Sequence, residues 1–172
     1  MKGSTIRFLV VSIILMILQV CVFSHIYLFG YAMAFVFLYI LAAIPFSVSL
    51  NAIYTIGFGC GFIIDIFTDT LGVNTISATL LAALRHPIFK LYSSKTEDIG
   101  SLYISSKTVG MAVFTKYIFT LSLIYCIIAF VIESMAFFNI LRLTFNVIGS
   151  TIFTFIIILA INSLNTQNEK RL

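Results

Sequence analysis

The chain has 172 residues, of which 61% are hydrophobic and only 9% are charged, and its formal net charge is +4. This composition excludes an ordinary soluble domain, because one core of this size cannot hide so much apolar surface. A membrane-spanning helix needs about 20 mostly apolar residues, so the length accommodates about six passes and no soluble domain beside them. The positive charge indicates membrane orientation and contact with anionic lipids, and it is no argument for nucleic-acid binding.

The predicted fold class is therefore an all-α membrane protein, a six-transmembrane-helix bundle that forms a single integral membrane domain over residues 1–172. The predicted spans are 8–23, 27–45, 50–67, 71–91, 110–132 and 143–164. Residues 93–109 are predicted to form a cytoplasmic loop, and residues 165–172 a cytoplasmic tail. Residues 1–24 lack the small-residue cleavage site of a signal peptide, which indicates that the first helix is retained.

The fourth predicted span is the weakest by hydropathy, since its clean apolar run covers only residues 71–84. The distribution of basic residues nevertheless predicts that this segment spans the membrane. If all six segments span and the N-terminus is cytoplasmic, only Arg142 of the 10 Lys and Arg residues lies outside, as the positive-inside rule requires. Arg85 is then expected at the inner end of the fourth helix, where its long stem can reach the headgroups.

Two glycines in the third predicted span stand one helical turn apart. Gly57 and Gly61 leave a helix face without side chains, so another helix can approach it closely. Two interpretations stay open for this face. It can pack within the chain, against the small residues Ala78 and Ala82 of the fourth helix, or it can hold the transmembrane helix of a partner.

Asp65 is predicted two residues before the end of the third span. A charged side chain near the bilayer centre costs about 2.5 to 3.5 kcal/mol on insertion scales, and the C-terminal end of a helix already carries partial negative charge. A cation or hydrogen-bond donor should therefore accompany this carboxylate. Arg142 is the candidate for an outer-side charge pair with Asp65, and Glu133 competes for it. The alternative is a solvated aspartate at the membrane boundary.

Helix capping explains the next polar residues. Asp69 or Thr70 is predicted to cap the fourth helix by accepting its free N–H groups, and Gly72 is predicted to allow a tight entry. Gln19 and Asn162 lie well inside the first and sixth predicted spans, where they are expected to form interhelical hydrogen bonds.

No catalytic constellation is found in the sequence, which contains no HExxH, GxSxG or Walker loop, so neither an enzyme nor a cofactor is predicted. His25 and His86 fall on opposite predicted sides of the membrane, and the cysteines are far apart in sequence, so no metal site or disulfide is predicted. Pro45 and Pro87 are placed at helix ends. The spans are therefore predicted to be unbroken, which disfavours an ion-coupled carrier.

Over nearly its whole length the sequence resembles the bacterial rod shape-determining protein MreD family. The resemblance rests on residues 25–32, on the block from Gly57 to Asp65 followed by Thr70-Leu71-Gly72, and on Glu133 at the end of the fifth predicted helix. The central block is its most specific part. The chain departs from the family pattern at Met33, where proline is expected, and only roughly follows it at residues 85–87.

The resemblance implies a non-enzymatic membrane scaffold of the elongasome, which maintains rod cell shape and supports side-wall peptidoglycan synthesis. It implies the cell inner membrane as location, where the distribution of basic residues predicts that both termini are cytoplasmic. The expected partners are membrane lipids, an MreC-like protein and, through it, MreB, RodA and a class B penicillin-binding protein. The Gly57/Gly61 face, with Asp65 and Asp69 at its outer end, is hypothesised to hold the transmembrane helix of the MreC-like partner.

The implied fold is similar to the substrate-binding subunits of energy-coupling-factor transporters. The alternative function from another class is accordingly the substrate-binding membrane subunit of a vitamin transporter. Such subunits typically carry alanines four residues apart in the first helix, and residues 8–23 contain no alanine.

Overall fold

The computed structural model describes residues 2–24, 26, 32–93, 103–134 and 140–168, with side chains described from residue 5 to residue 164 of these ranges. Helices make up most of this part of the chain. They are α1 (Lys2–Leu18), which continues as a π-helix (Gln19–Phe23), α2 (Leu38–Ala43), α3 (Leu50–Thr68), α4 (Val73–Tyr92), α5 (Ser106–Val109), α6 (Met111–Ser134) and α7 (Ile140–Asn168).

Four helical segments are long and apolar enough to cross a membrane, namely Thr5–Phe23, Leu50–Thr68, Met111–Ser134 and Ile140–Leu164. The predicted class of all-helical membrane protein is therefore confirmed for the described residues. Helix α4 has 20 residues but is not one of the four. This agrees with its weak apolar run in the sequence, and the count of six spans stays a prediction.

From α3 onward, each long helix packs against the next long helix in chain order. Helix α3 packs mainly against α4, α4 also packs against α6, and α6 packs against α7. Helix α1 lies at the edge, since only 11% of its most apolar window is buried. It buries Leu15 and exposes large apolar side chains such as Ile6, Leu9 and Ile13, which suit contact with lipid chains.

The second predicted span differs from the expectation. Within its described part, residues 32–45, the chain is helical only over the six residues of α2, and residues 27–31 lie outside the described ranges. Every residue from 34 to 44 is at most 5% exposed, so this segment forms the centre of the bundle. Non-helical backbone at membrane depth is tolerated only where protein surrounds it and satisfies its polar groups. The prediction of one continuous helix here is wrong.

Helix α7 supplies part of the missing hydrogen bonds to the non-helical stretch 32–36. The Met33 N–H donates to Ser150 Oγ at 2.9 Å, and the Phe35 N–H donates to Thr154 Oγ1 at 3.0 Å. Both hydroxyl side chains are fully buried. Two successive odd-numbered N–H groups thus point to one helix, as in an extended strand.

Helix α1 supplies the rest through one side chain. The Gln19 amide donates from Nε2 to the Ala34 carbonyl at 3.0 Å and accepts the Val36 N–H on Oε1 at 2.7 Å. Gln19 is 1% exposed. Its predicted role was a hydrogen bond between helices, and the structure shows instead a pair of bonds to the backbone of stretch 32–36.

Arg85 of α4 binds the C-terminal end of α2. Its guanidinium donates to the Ile44 carbonyl and lies over the Phe46 ring, with 4.8 Å from Cζ to the ring centroid. A cation is favourable there because the C-terminal end of a helix carries partial negative charge. Arg85 is 1% exposed, so the prediction that it reaches the headgroups is wrong.

The expectation of proline only at helix ends is half right. Pro45 follows α2, but Pro87 lies inside α4, which continues to Tyr92. The prediction of unbroken spans also fails, because the second segment is not helical over residues 32–37.

Candidate functional site at the α3–α4 turn

The glycine face of α3 is covered by α4. A Cβ atom on Gly61 would lie 2.5 Å from the Asn74 carbonyl oxygen, and one on Gly57 would lie 3.0 Å from both the Ala78 carbonyl oxygen and Ala82 Cβ. These distances leave no room for side chains, so the two backbones meet directly. Packing within the chain is therefore the correct interpretation of this face. The hypothesis that it holds a partner helix is wrong, because α4 already occupies it.

Asp65, one turn further along the same face, binds the first turn of α4. Its Oδ1 accepts the Asn74 N–H at 3.0 Å, and its Oδ2 accepts the Thr75 N–H at 2.7 Å. The first N–H groups of a helix have no partner within that helix and carry partial positive charge. The carboxylate therefore caps α4 from the neighbouring helix. This offsets the unfavourable position of a negative charge near the C-terminal end of α3.

Side-chain donors complete the surroundings of Asp65. Thr70 Oγ1 and Asn74 Nδ2 donate to Oδ1, and Thr75 Oγ1 donates to Oδ2, which makes five donors together with the two N–H groups. Tyr125 of α6 donates its hydroxyl to Asn74 Oδ1 at 2.6 Å. The network thus joins α3, the turn, α4 and α6, and Asp65 is only 5% exposed within it.

These donors take the place of the cation that was expected for Asp65. Glu133, the competitor identified in the sequence, lies within electrostatic range of Arg142. Of the two alternatives for Asp65, a solvated aspartate at the boundary is excluded by its burial. A hydrogen-bonded carboxylate is what the structure contains.

The residues predicted to cap α4 have other roles. Asp69 is exposed and ends α3 with φ at 53°, and its N–H donates to the Asp65 carbonyl. The Thr70 hydroxyl donates to the Asp65 side chain and accepts from the Asn74 side chain, so its bond to α4 goes to a side chain and not to the free N–H groups of the helix. Gly72 is the N-cap residue of α4, at φ 80°, where a side chain is disfavoured. The prediction that Gly72 allows a tight entry into α4 is therefore correct. The residue that binds the free N–H groups of α4, Asp65, was not predicted.

A cavity of about 390 Å³ adjoins this network. Its walls come from the end of α1, from stretch 32–36, from the α3–α4 turn and from the end of α6. The polar side chains that line it include Gln19, Thr70, Asn74, Asp69 and Glu133. No sequence signal points to this cavity, because its walls are contributed by residues as distant as Gln19 and Glu133.

The remaining polar predictions are structural. Asn162 of α7 donates from Nδ2 to Ser106 Oγ of α5 at 2.7 Å. Within the described ranges no group of His, Cys, Asp and Glu side chains could hold a metal ion. Cys21, Cys60 and Cys126 are free. His25 lies outside the described residues.

Comparison with known proteins identifies no relative. No family model matches the chain, and no match is found among curated proteins or solved structures. Function is therefore inferred from the residues themselves and from the geometry of the α3–α4 turn.

Proposed function

We propose that this protein is a non-enzymatic membrane scaffold of the bacterial elongasome, which binds an MreC-like protein in the cell inner membrane and thereby maintains rod shape. The observation that supports the proposal is the use of the Gly57-to-Gly72 block. Gly57 and Gly61 seat α4, and both oxygens of Asp65 accept hydrogen bonds from it. The Gly57-to-Gly72 block, which carries the resemblance, holds α3 and α4 together. A fixed helix pair of this kind suits a rigid membrane scaffold.

Six passes with both termini in the cytoplasm remain part of the proposal. Ser24 and Asp69 line the same cavity, so the end of α1 and the end of α3 lie at the same end of the bundle. Leu50 begins α3 at the opposite end. The chain between Ser24 and Leu50 therefore has to pass from one end of the bundle to the other, partly as stretch 32–36 and partly as α2. This supports a second pass without a full-length helix.

The partner surface has to lie away from the glycine face. Replacing Gly61 with Leu would separate α3 from α4, so it would report on folding rather than on partner binding. Helix α1 is the least covered of the four apolar helices, with 11% of its window buried compared with 28% to 44% for the others. We therefore place the MreC-like transmembrane helix against α1.

Photo-crosslinking from inside the membrane tests this placement. A crosslinking amino acid is introduced at Ile13 of α1, at Phe58 of α3 or at Ile152 of α7, which are all exposed apolar positions. We expect a crosslink to the co-expressed MreC-like protein from Ile13, with Phe58 and Ile152 as matched controls. A crosslink only from Phe58 or Ile152 would place the partner-binding surface on α3 or α7 instead of α1. The absence of a crosslink from all three positions would contradict a contact within the membrane.

Depletion of the protein tests the function itself. In a rod-shaped bacterium with a single copy of the gene, we expect cells to round up as the protein is lost, and to recover when the wild-type chain is supplied. Continued rod growth at undetectable protein levels would exclude the scaffold function.

The second candidate is the substrate-binding membrane subunit of a vitamin transporter. Two observations favour it: the non-helical stretch 32–36 at the centre of the bundle and the adjoining cavity of about 390 Å³. Transporter sites are commonly built where membrane helices are discontinuous. Co-purification with a transporter ATPase, or a gene for one beside this gene, would support this candidate, and an MreC-like neighbour would support the scaffold.

A further inference from the structure

We propose that the cavity at the α3–α4 turn binds a small organic cation that carries an apolar body. The inference rests on the cavity alone, and it stands whichever of the two candidate functions applies. It concerns the atoms that face the cavity, the hydrogen bonds already made by those atoms, and the charges that remain.

The cavity has the size and construction of a ligand site. Its volume of about 390 Å³ falls within the roughly 300 to 1,000 Å³ that is usual for small-molecule pockets. Residues from α1, stretch 32–36, α3, α4 and α6 all contribute to its walls. A site enclosed by so many elements keeps its shape better than a groove along one helix.

The amide side chains in the wall are already committed to the protein. The Gln19 amide is bonded to the backbone of Ala34 and Val36. The Asn74 amide is bonded to Asp65 through Nδ2 and to Tyr125 through Oδ1. These bonds fix the orientation of both amides, and an amide carries no net charge, so the charge preference of the cavity is set by other residues.

Among the described residues that line the cavity, the charged side chains are acidic. They are Asp69 and Glu133, and this part of the lining includes no lysine, arginine or histidine. Arg142 acts on Glu133 but does not itself line the cavity. Charged walls beside an apolar interior concentrate ions of the opposite sign. A cation is therefore the ligand with complementary charge.

Much of the rest of the wall is apolar, and part of it is aromatic. Met33, Phe35, Ile64, Phe67 and Val73 contribute to it. Aromatic faces attract organic cations, and aliphatic side chains favour an apolar body through burial. The same surface would not favour a strongly hydrated inorganic ion. The chemical class is consequently a small ammonium compound with an aryl or alkyl group.

A single fluorescent reporter makes the binding measurable. The chain contains no tryptophan, so the variant Phe67→Trp carries one reporter in the cavity wall, at a position that is 61% exposed and tolerates a larger ring. The protein is placed in nanodiscs of zwitterionic lipid and titrated with benzyltrimethylammonium. Neopentylbenzene has the same shape without the charge, and benzenesulfonate has the opposite charge. We expect saturable binding of the cation only, after subtraction of the signal from nanodiscs without the reporter.

Charge-neutral variants supply the second measurement. Asp69→Asn and Glu133→Gln keep the side-chain shapes, and each is expected to weaken the binding of benzyltrimethylammonium by at least about fivefold, since one charge interaction near water contributes about 1 kcal/mol. Lys116→Gln, which removes a charge at an exposed position of α6 that does not line the cavity, is the matched control and should bind as the reporter protein does.

Three results would overturn the proposal: no saturable response to the cation, equal binding of the neutral or anionic probe, or unchanged affinity in both cavity variants. None of these results would alter the outcome of depletion in cells, so the failure of this inference is distinguishable from the failure of the proposed function.

Discussion

Asp65 is a buried carboxylate whose stability depends on a helix other than its own. Near the C-terminal end of α3 its charge is unfavourable, yet it faces the free N–H groups of Asn74 and Thr75 at the start of α4. Each of its oxygens accepts backbone and side-chain hydrogen bonds. Asp65 therefore holds α3 and α4 together, and its replacement should lower the stability of the protein.

Replacement of Asp65 by Asn should lower the free energy of unfolding by about 3 kcal/mol. An amide has only one acceptor oxygen, so its NH₂ group would face donors of Thr70 or Thr75. Thermal unfolding in detergent measures the effect. Asp69→Asn is the control, because Asp69 is exposed and Asn tolerates its left-handed backbone. Equal effects of the two substitutions would show that the five donors do not stabilise the protein.

A double-mutant cycle decides which acid Arg142 serves. Because its charge acts on Glu133, the effects of Arg142→Gln and Glu133→Gln on stability should be coupled, whereas those of Arg142→Gln and Asp65→Asn should add. The expected coupling is about 0.5 kcal/mol for a partly solvated pair. Coupling to Asp65 instead would restore the charge pair predicted from the sequence.

The contact between α3 and α4 predicts a graded response at three glycines. Gly61→Ala should destabilise by about 3 kcal/mol and Gly57→Ala by about 1 kcal/mol, because the new Cβ would lie 2.5 Å from backbone in the first case and 3.0 Å in the second. Gly59→Ala is the matched control. A Cβ added there would have no heavy atom of a neighbouring element within 4 Å, and alanine favours helices. Any other order of the three unfolding temperatures would contradict the packing.

The sequence predicts those elements whose determinants are local. Uninterrupted apolar runs identified α1, α3, α6 and α7, and the spacing of Gly57 and Gly61 identified a close helix contact. The cap of α4 was missed because Asp65 precedes Asn74 by nine residues, beyond the range of local capping rules. The non-helical backbone of stretch 32–36 was not predicted, because a short apolar run is compatible with both a buried strand and a buried helix.

Thr154→Val tests the hydrogen bonds that replace helix formation in stretch 32–36. Valine keeps the shape of threonine but leaves the buried Phe35 N–H without an acceptor, so the protein should lose about 2 kcal/mol of stability. Thr115→Val is the control, since Thr115 bonds only the Met111 carbonyl of its own helix. Equal unfolding temperatures for the two variants would show that Phe35 finds another partner.

At the scale of the whole molecule, the proposed orientation predicts which ends can be labelled from outside. In a background without Cys21, Cys60 and Cys126, a membrane-impermeant maleimide added to spheroplasts should modify Leu71→Cys, at a fully exposed position beside the α3–α4 turn. Lys107→Cys, which is also exposed, should react only after the membrane is permeabilised. The reverse pattern would invert the orientation.

The bonds to stretch 32–36 join residues 117 and 119 positions apart, Met33 to Ser150 and Phe35 to Thr154. A ribosome makes the chain from its N-terminus, so these N–H groups are synthesised long before their acceptors. Each N–H left unsatisfied in lipid costs several kcal/mol, which prevents the stretch from entering the bilayer core in its final form. Whatever conformation the stretch has when it is first synthesised, the centre of the bundle therefore reaches its final form only after α7 has been inserted.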